Sequence, residues 1–241
     1  MSAAGEARAP RGEARAPAGE APGPREGDSA KQLAVASLRA AIMDGDMSPG
    51  QRLVEAELAE MLAVTRASVR AALIDLSADG LVERIPNRGA RVRAVPAEEA
   101  VAITECRMVL EGLCAAKAAQ NAASADVERL RGIGRRMSEA VRHGEPLAYS
   151  ALNRELHLLV ADVSGQAVAA GLLRRLSAQI VRHQFRLSLR AGRTRVSLPE
   201  HLAIIDAIAA RDPDAAEAAA RDHVRSVIAA LAEPTDQDRS G

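Results

Sequence analysis

Aromatic residues are nearly absent from this 241-residue chain, which has one tyrosine, one phenylalanine and no tryptophan. Proteins that bind single-stranded nucleic acid or read RNA bases stack those bases on aromatic rings, so the composition argues against both classes. The core has to be built from aliphatic side chains and alanine, which favours helices. The net charge is zero, with 32 basic and 32 acidic residues, so attraction to a polyanion requires local clustering of charge.

Cysteine is also scarce. Cys106 and Cys114 are separated by about 12 Å if they share a helix, which is too far for a disulfide. We expect both thiols to be buried and reduced. The sequence has no N-terminal apolar core typical of a signal peptide and no apolar run near the roughly 18 residues that a membrane span needs. These absences predict a cytoplasmic protein without a membrane partner.

The order of segments predicts two domains. Residues 1–28 repeat a Gly-Glu-Ala-Arg-Ala-Pro pattern with almost no large apolar side chain, which predicts a disordered tail. Residues 29–96 read as helix, helix, turn, helix and β-hairpin, and residues 97–232 read as successive helices. Residues 233–241 are predicted to be flexible. The helices of the second domain are expected at 97–121, 124–143, 146–163, 166–191, 197–211 and 213–232.

The first domain has the element order of a winged helix-turn-helix. The second helix of this helix-turn-helix, predicted at 66–78, places Thr65, Arg66, Ser68 and Arg70 on the outward face. Arginine donates two parallel hydrogen bonds to guanine in the major groove, which makes this face a candidate reader of duplex DNA. The hairpin adds basic side chains near its tip, and these local charges offset the zero net charge. They are Arg84, Arg88, Arg91 and Arg93.

Four stretches resemble the DNA-binding head of GntR-family transcriptional regulators. They are LVEAELAE (53–60), VTRASVRAAL (64–73), GLVER (80–84) and PNRGA (86–90). The resemblance implies that Arg66 and Arg70 contact the operator, that Thr65 touches the DNA backbone, and that Gly89 lets the wing approach the minor groove. Ala63 stands where the family usually has a turn glycine, which implies strain if its φ is positive.

The second domain presents a possible metal site. Asn153 and His157 share one face of a predicted helix, and His201 and His223 face inward from two others. Three imidazoles and one oxygen ligand suit Zn²⁺, Ni²⁺ or a similar ion, although buried histidines often only bond a carbonyl. His143 and His183 are expected at the surface or a cavity edge.

This domain resembles the FCD effector-binding domain of the FadR subfamily. The matching segments are ECR (105–107), Asn153-x-x-x-His157, EHxxI (200–204) and the final His223. The resemblance implies a metal held by Asn153 and the three histidines, with asparagine where aspartate is more usual. It also implies that Arg107 faces the cavity and binds an effector carboxylate. From spacing alone, Arg107 could equally form an ion pair with Glu111, four residues on.

The fold class is therefore mainly α, a winged helix-turn-helix followed by an all-α helical bundle of the FCD type. We expect a non-enzymatic homodimer that binds an inverted repeat in double-stranded operator DNA and responds to a small organic acid. Repression relieved by ligand is the expected sense. Two alternatives are a metal-dependent hydrolase, for which Glu155 and Glu200 are poorly placed bases, and a regulator whose metal is purely structural.

Overall fold

The computed structural model describes residues 27–85 and 89–233 of the chain. The predicted tail falls outside these ranges except for Gly27 and Asp28, which belong to the first helix and so contradict the prediction for those two positions. Most of the predicted flexible C-terminus, 234–241, also lies outside. In order, the elements are α1 (Gly27–Asp44), β1 (Arg52–Leu53), α2 (Glu55–Leu62), α3 (Arg66–Ala78), β2 (Val82–Ile85), β3 (Gly89–Val92), α4 (Ala97–Asn121), α5 (Ser124–His143), α6 (Pro146–Val163), α7 (Ala167–Gln179), α8 (Val181–Ser188), α9 (Arg193–Ala209) and α10 (Pro213–Ala232).

The N-terminal part is a winged helix-turn-helix, as predicted. Helices α1 and α3 pack together through buried apolar side chains that recur at helical spacing, including Leu38, Val69 and Leu76. The strands form an antiparallel sheet in the order β1-β3-β2, in which β3 pairs with both neighbours. Strand β1 was not predicted, because two residues are too few to show an alternating pattern.

The rest of the described chain is an all-α bundle, so the predicted fold class is confirmed. Helix α4 packs along α10, and α9 packs against both α10 and α5. The core that they enclose is aliphatic, with Leu130, Met137, Leu156, Ile205 and Ile208 almost fully buried. None of the helices in 27–85 and 89–233 combines the length and the apolar character needed to cross a membrane.

Two helix predictions were wrong. The expected helix 166–191 is divided at Ile180, whose side chain is fully buried against Ala100 and Ile103 of α4. No glycine or proline marks this break, so it left no signal in the sequence. Helix α9 begins at Arg193 instead of 197 and contains Pro199 in its second turn. Four of its residues therefore precede the predicted start.

The break between α7 and α8 lies where the bundle meets the N-terminal domain. Gln179 donates its amide to the carbonyl of Asp79 at 3.0 Å. The guanidinium of Arg182 donates to the carbonyls of Gly45 and Met47 at 3.3 and 3.0 Å. The Nε2 of His183 donates to the carbonyl of Val95 at 2.8 Å. Main-chain oxygens of the N-terminal domain thus accept from three side chains of the bundle, and Arg175 of α7 adds an ion pair with Asp79 at 3.1 Å.

One expectation about the cysteines was wrong. Cys114 is buried, but Cys106 is exposed, because it lies on the outer face of α4. Both are free thiols.

Candidate functional site

Helix α3 presents the predicted DNA-reading side chains from its first turn. Thr65 caps the helix, since its hydroxyl accepts the backbone N–H of Ser68 at 3.2 Å. Arg66 is the first residue of α3 and is exposed. The expectation that Ser68 lies on the outer face is wrong: Ser68 is buried, and its hydroxyl lies 2.9 Å from that of Thr65. Ser68 thus contributes to the cap of the helix.

Two of the predicted DNA-contacting arginines are paired with acidic side chains. The Nη2 of Arg70 lies 2.7 Å from Oε2 of Glu55 on α2, and this bond lowers the pKa of the Glu55 carboxyl. Arg91 on β3 pairs with Glu83 on β2, directly opposite in the antiparallel register. All four side chains remain substantially exposed, so both pairs are weak.

The wing carries the remaining predicted contacts. Gly89 opens β3 with a φ of +86°, a conformation that favours glycine and turns the chain into the strand. Arg88 lies outside the described residues.

The three histidines predicted to share a metal lie together in the helical bundle. His157, His201 and His223 come from α6, α9 and α10, and each offers a ligand atom within 4.8 Å of the others. The ring centroids of His201 and His223 are 4.2 Å apart, and that of His157 is 5.4 Å from both. The three side chains could therefore hold one metal ion.

A different side chain contacts the Nδ1 atom of each imidazole. Oε2 of Glu111 lies 3.1 Å from Nδ1 of His157. Oη of Tyr149 lies 2.8 Å from Nδ1 of His201. Oε2 of Glu200 lies 2.8 Å from Nδ1 of His223. Such contacts fix the orientation of a ring and leave its Nε2 available, which is typical of the partners of metal-bound histidines.

Burial and charge set the protonation of these groups. Burial lowers the pKa of His201 well below its usual range, and His223 and His157 add to this effect. Burial also lowers the pKa of His223, against the opposing effect of its bond to Glu200. Burial raises the pKa of Tyr149 to about 12, so it remains a phenol. Burial alone would raise the pKa of Glu111, but Arg107 and His157 outweigh it and hold that pKa far below its usual range.

Among the buried atoms of the site that lack a hydrogen-bond partner in the described residues are two possible metal donors. They are Nε2 of His201 and Oδ1 of Asn153, which is one helical turn before His157 and lines the same cavity. Leaving a buried polar atom unpaired costs about 1–3 kcal/mol. A nitrogen lone pair and an amide oxygen are both metal donors, so the residues present fit a divalent ion.

Arg107 both forms an ion pair with Glu111 and lies at the wall of the histidine cavity. Its side chain is buried, and its Nη2 lies 2.6 Å from Oε1 of Glu111 on the same helix. Arg107 nevertheless lines the histidine cavity. With its amide oxygen turned towards the guanidinium, Gln184 of α8 accepts from Nη1 at 2.5 Å and from Nη2 at 3.2 Å. The Nε atom of Arg107 is buried without a partner in the described part of the chain.

Sequence reasoning missed three residues that complete the site. Tyr149 recurs at the four-residue spacing of Asn153 and His157, and this pattern could have placed it on the same face of α6. Glu200 was considered only as a poorly placed base, although it contacts His223. Gln184 lies next to His183 in a segment that was predicted as part of one long helix, and no spacing pattern there indicates that its side chain faces the cavity.

Glu155, one of the two bases weighed for a hydrolase, is exposed and pairs with Arg136.

Comparison with known proteins decides the family. Residues 30–92 match the family "Bacterial regulatory proteins, gntR family", and residues 102–226 match the "FCD domain". The chain belongs to the GntR family. Its members and the relatives of this chain are DNA-binding transcriptional regulators, not enzymes, so the hydrolase alternative is set aside.

Individual relatives agree with this placement. The GntR-family chain is 30% identical, over 79% of its own length and 84% of the relative, to the "Probable D-xylose utilization operon transcriptional repressor" of Paenarthrobacter nicotinovorans. It is 30% identical to the "HTH-type transcriptional regulator LutR" of Bacillus subtilis, over 77% and 94% of the two chains. The solved structure of Escherichia coli McbR/YncC has the same fold, with a TM-score of 0.71, 20% identity and coverage of 84% and 96%.

Proposed function

We propose that this transcriptional regulator is a homodimeric repressor that releases its operator when a small carboxylate binds at a metal-containing cavity. The observation that carries the proposal is the histidine cluster, in which every Nδ1 is contacted by another side chain and Nε2 of His201 is left without a partner in the described chain. The division into a DNA-binding domain, 29–96, and an effector-binding domain, 97–232, is part of the proposal.

The metal ligands would be Asn153, His157, His201 and His223. Four ligands from nitrogen and oxygen suit Zn²⁺, and Ni²⁺ would also be accepted. The ion would act as a Lewis acid that anchors an anionic oxygen. Because Asn153 is a neutral ligand, the site retains more positive charge than it would with aspartate, and this favours an anionic effector.

The size and charge of the cavity limit the effector. Its volume is about 60 Å³, and a buried water occupies roughly 10–15 Å³ on the same measure. The free space therefore suits a molecule of few heavy atoms. Arg107 lies on the wall, and its planar guanidinium matches a carboxylate. A small organic acid satisfies both conditions.

Helix α8 offers a route from this cavity to the DNA-binding domain. Gln184 faces Arg107 on the cavity side. On the same helix, Arg182 and His183 donate hydrogen bonds to carbonyls of the N-terminal domain. An acid that draws Arg107 away from Gln184 would shift α8 and change the orientation of the domain. Coupling of this kind is typically about 1–3 kcal/mol.

The exposed apolar residues of α4 and α7 support a homodimer. These helices contact each other, and each exposes large aliphatic side chains: Val109, Leu113, Val168 and Leu172. Large apolar side chains exposed on two adjacent helices are candidates for an interaction site, and a two-fold axis would bury them against a second copy. The dimer would place two copies of α3 on the halves of an inverted repeat.

The DNA contacts proposed are those of the recognition helix and the wing. Arg66 is exposed at the start of α3 and is placed to reach base edges. Thr65, Arg70, Arg91, Arg88 and Gly89 would contact the backbone or groove around it, and Ser68 would act through the helix cap. Repression is proposed because the Paenarthrobacter relative is named a repressor.

Elemental analysis combined with operator binding tests the proposal. We expect the purified protein to carry about one divalent ion per chain, and the variant His201→Ala/His223→Ala to lose it. His143→Ala, at the exposed end of α5, is the matched control and should retain the ion. Small carboxylates should weaken operator binding by the parent but not by the double variant. Unchanged metal in the double variant would exclude the site.

A metal that binds tightly while no carboxylate changes operator affinity would instead support a structural ion and contradict the effector role.

A further inference from the structure

We propose a second ligand site, for a small dianion carrying a phosphate group, in the cleft between the N-terminal domain and the helical bundle. The cleft is separate from the histidine cavity: the two share no lining residue. Its volume is about 190 Å³. A cavity needs at least roughly 10–15 Å³ on this measure to hold one water, so the cleft has room for several waters and for a phosphate group.

The lining of the cleft is positively charged. Arg93 comes from the N-terminal domain, and Arg182 and Arg186 come from α8. None of the lining residues in the described part of the chain is an aspartate or a glutamate. Arginine pairs bidentately with phosphate oxygens, so three guanidinium groups around one space favour a doubly charged oxyanion over a monoanion.

These arginines retain donors for a ligand. Arg186 is exposed and forms no ion pair within the described residues. Arg182 uses Nη2 on two carbonyls, while its Nε is buried and has no partner in the part of the chain that the structure describes. Arg93 is partly neutralised, because Nη2 pairs with Glu99 and Nη1 lies 3.3 Å from Oε1 of Gln179. An oxyanion would therefore be held mainly by Arg182 and Arg186.

Because the cleft lies between the two domains, a ligand bound there would affect their relative arrangement. Its walls belong to both domains, and Gly80 and Gln179 meet across the contact so closely that a Cβ on Gly80 would lie 2.8 Å from the Gln179 amide. A dianion bridging Arg93 and α8 would stabilise this arrangement of the two domains. It would therefore change operator affinity independently of the metal.

Titration with inorganic phosphate tests the site. Calorimetry on the full chain, at constant ionic strength maintained with chloride, should give saturable binding and a rise in the thermal midpoint. Arg186→Gln should weaken phosphate binding at least tenfold. Arg182→Gln should do the same and gives a second, independent variant. Arg174→Gln changes an exposed arginine of α7 outside the cleft and should bind phosphate within twofold of the parent.

Two further measurements distinguish this site from the histidine cavity and distinguish a phosphate ester from free phosphate as its ligand. The His201→Ala/His223→Ala variant should bind phosphate within twofold of the parent, so failure of the metal proposal leaves this one intact. Glycerol 3-phosphate should compete with inorganic phosphate, and binding at least tenfold tighter would assign the site to an ester. Absence of saturable binding, equal losses in Arg186→Gln and Arg174→Gln, or loss of binding in the histidine variant would each overturn the proposal.

Discussion

The buried ion pair between Arg107 and Glu111 allows a quantitative test of the cavity. Their side chains are only 7% and 9% exposed, and 2.6 Å separates Nη2 from Oε1. Removing one partner leaves the other charge buried without its ion-pair partner, with only His157 beside Glu111 or only Gln184 beside Arg107. Breaking a buried pair in this way costs about 3–5 kcal/mol. We therefore expect Arg107→Met and Glu111→Gln each to lower the free energy of unfolding by about that amount. The double variant removes both charges and should cost about 2 kcal/mol less than the sum.

Chemical denaturation followed by circular dichroism measures these differences, with a chelator present so that metal binding does not contribute. The pair Glu217 and Arg221 is a matched control, since it has the same four-residue spacing and a 2.8 Å contact but is 40% and 30% exposed. Its coupling should be below about 1 kcal/mol. If the effects at Arg107 and Glu111 are additive to within about 0.5 kcal/mol, the two charges do not depend on each other as the structure requires.

Three further predictions concern the DNA-binding domain. Ala63 has a φ of +51° in the turn before α3, so Ala63→Gly should raise the free energy of unfolding by about 0.5–1 kcal/mol in urea titrations, and a decrease would contradict the left-handed conformation. Glu55→Gln removes the acid that holds Arg70 and should strengthen binding to any duplex roughly two- to fivefold at low salt, as measured by fluorescence anisotropy. Arg66→Ala should relax base preference, whereas Arg91→Ala should weaken operator and random duplex alike and reduce the salt dependence; equal behaviour of the two variants would contradict the contact assignment.

Periodicity made most of the helices predictable, because the apolar residues that face the core recur every three to four positions. The break at Ile180 was not predictable, since a buried contact with α4 ends α7 where the local sequence would continue it. The same distinction applies to Ser68. Its spacing placed it on the outer face, whereas its hydrogen bond with the capping Thr65 accompanies its burial.

The candidate site divides in the same way. His157, His201 and His223 could be found from the sequence because residue type alone marks them as possible ligands. Their partners could not, because the contact of Tyr149 with His201 joins residues 52 positions apart and depends on how α6 packs near α9. Side chains brought together only by packing carry no local pattern.

The main-chain contacts that join the domains bear on how such regulators can be re-engineered. Arg182, His183 and Gln179 of the bundle all donate to backbone carbonyls of their neighbour, and every residue type supplies that oxygen. Substitutions there leave these acceptors in place provided that the backbone keeps its path and position 80 remains glycine. An operator-reading module from another protein could therefore replace this one while the sensor is retained, provided that it also supplies the side chains that the bundle contacts, an acid at position 79 for Arg175 and an arginine at position 93 for Gln179.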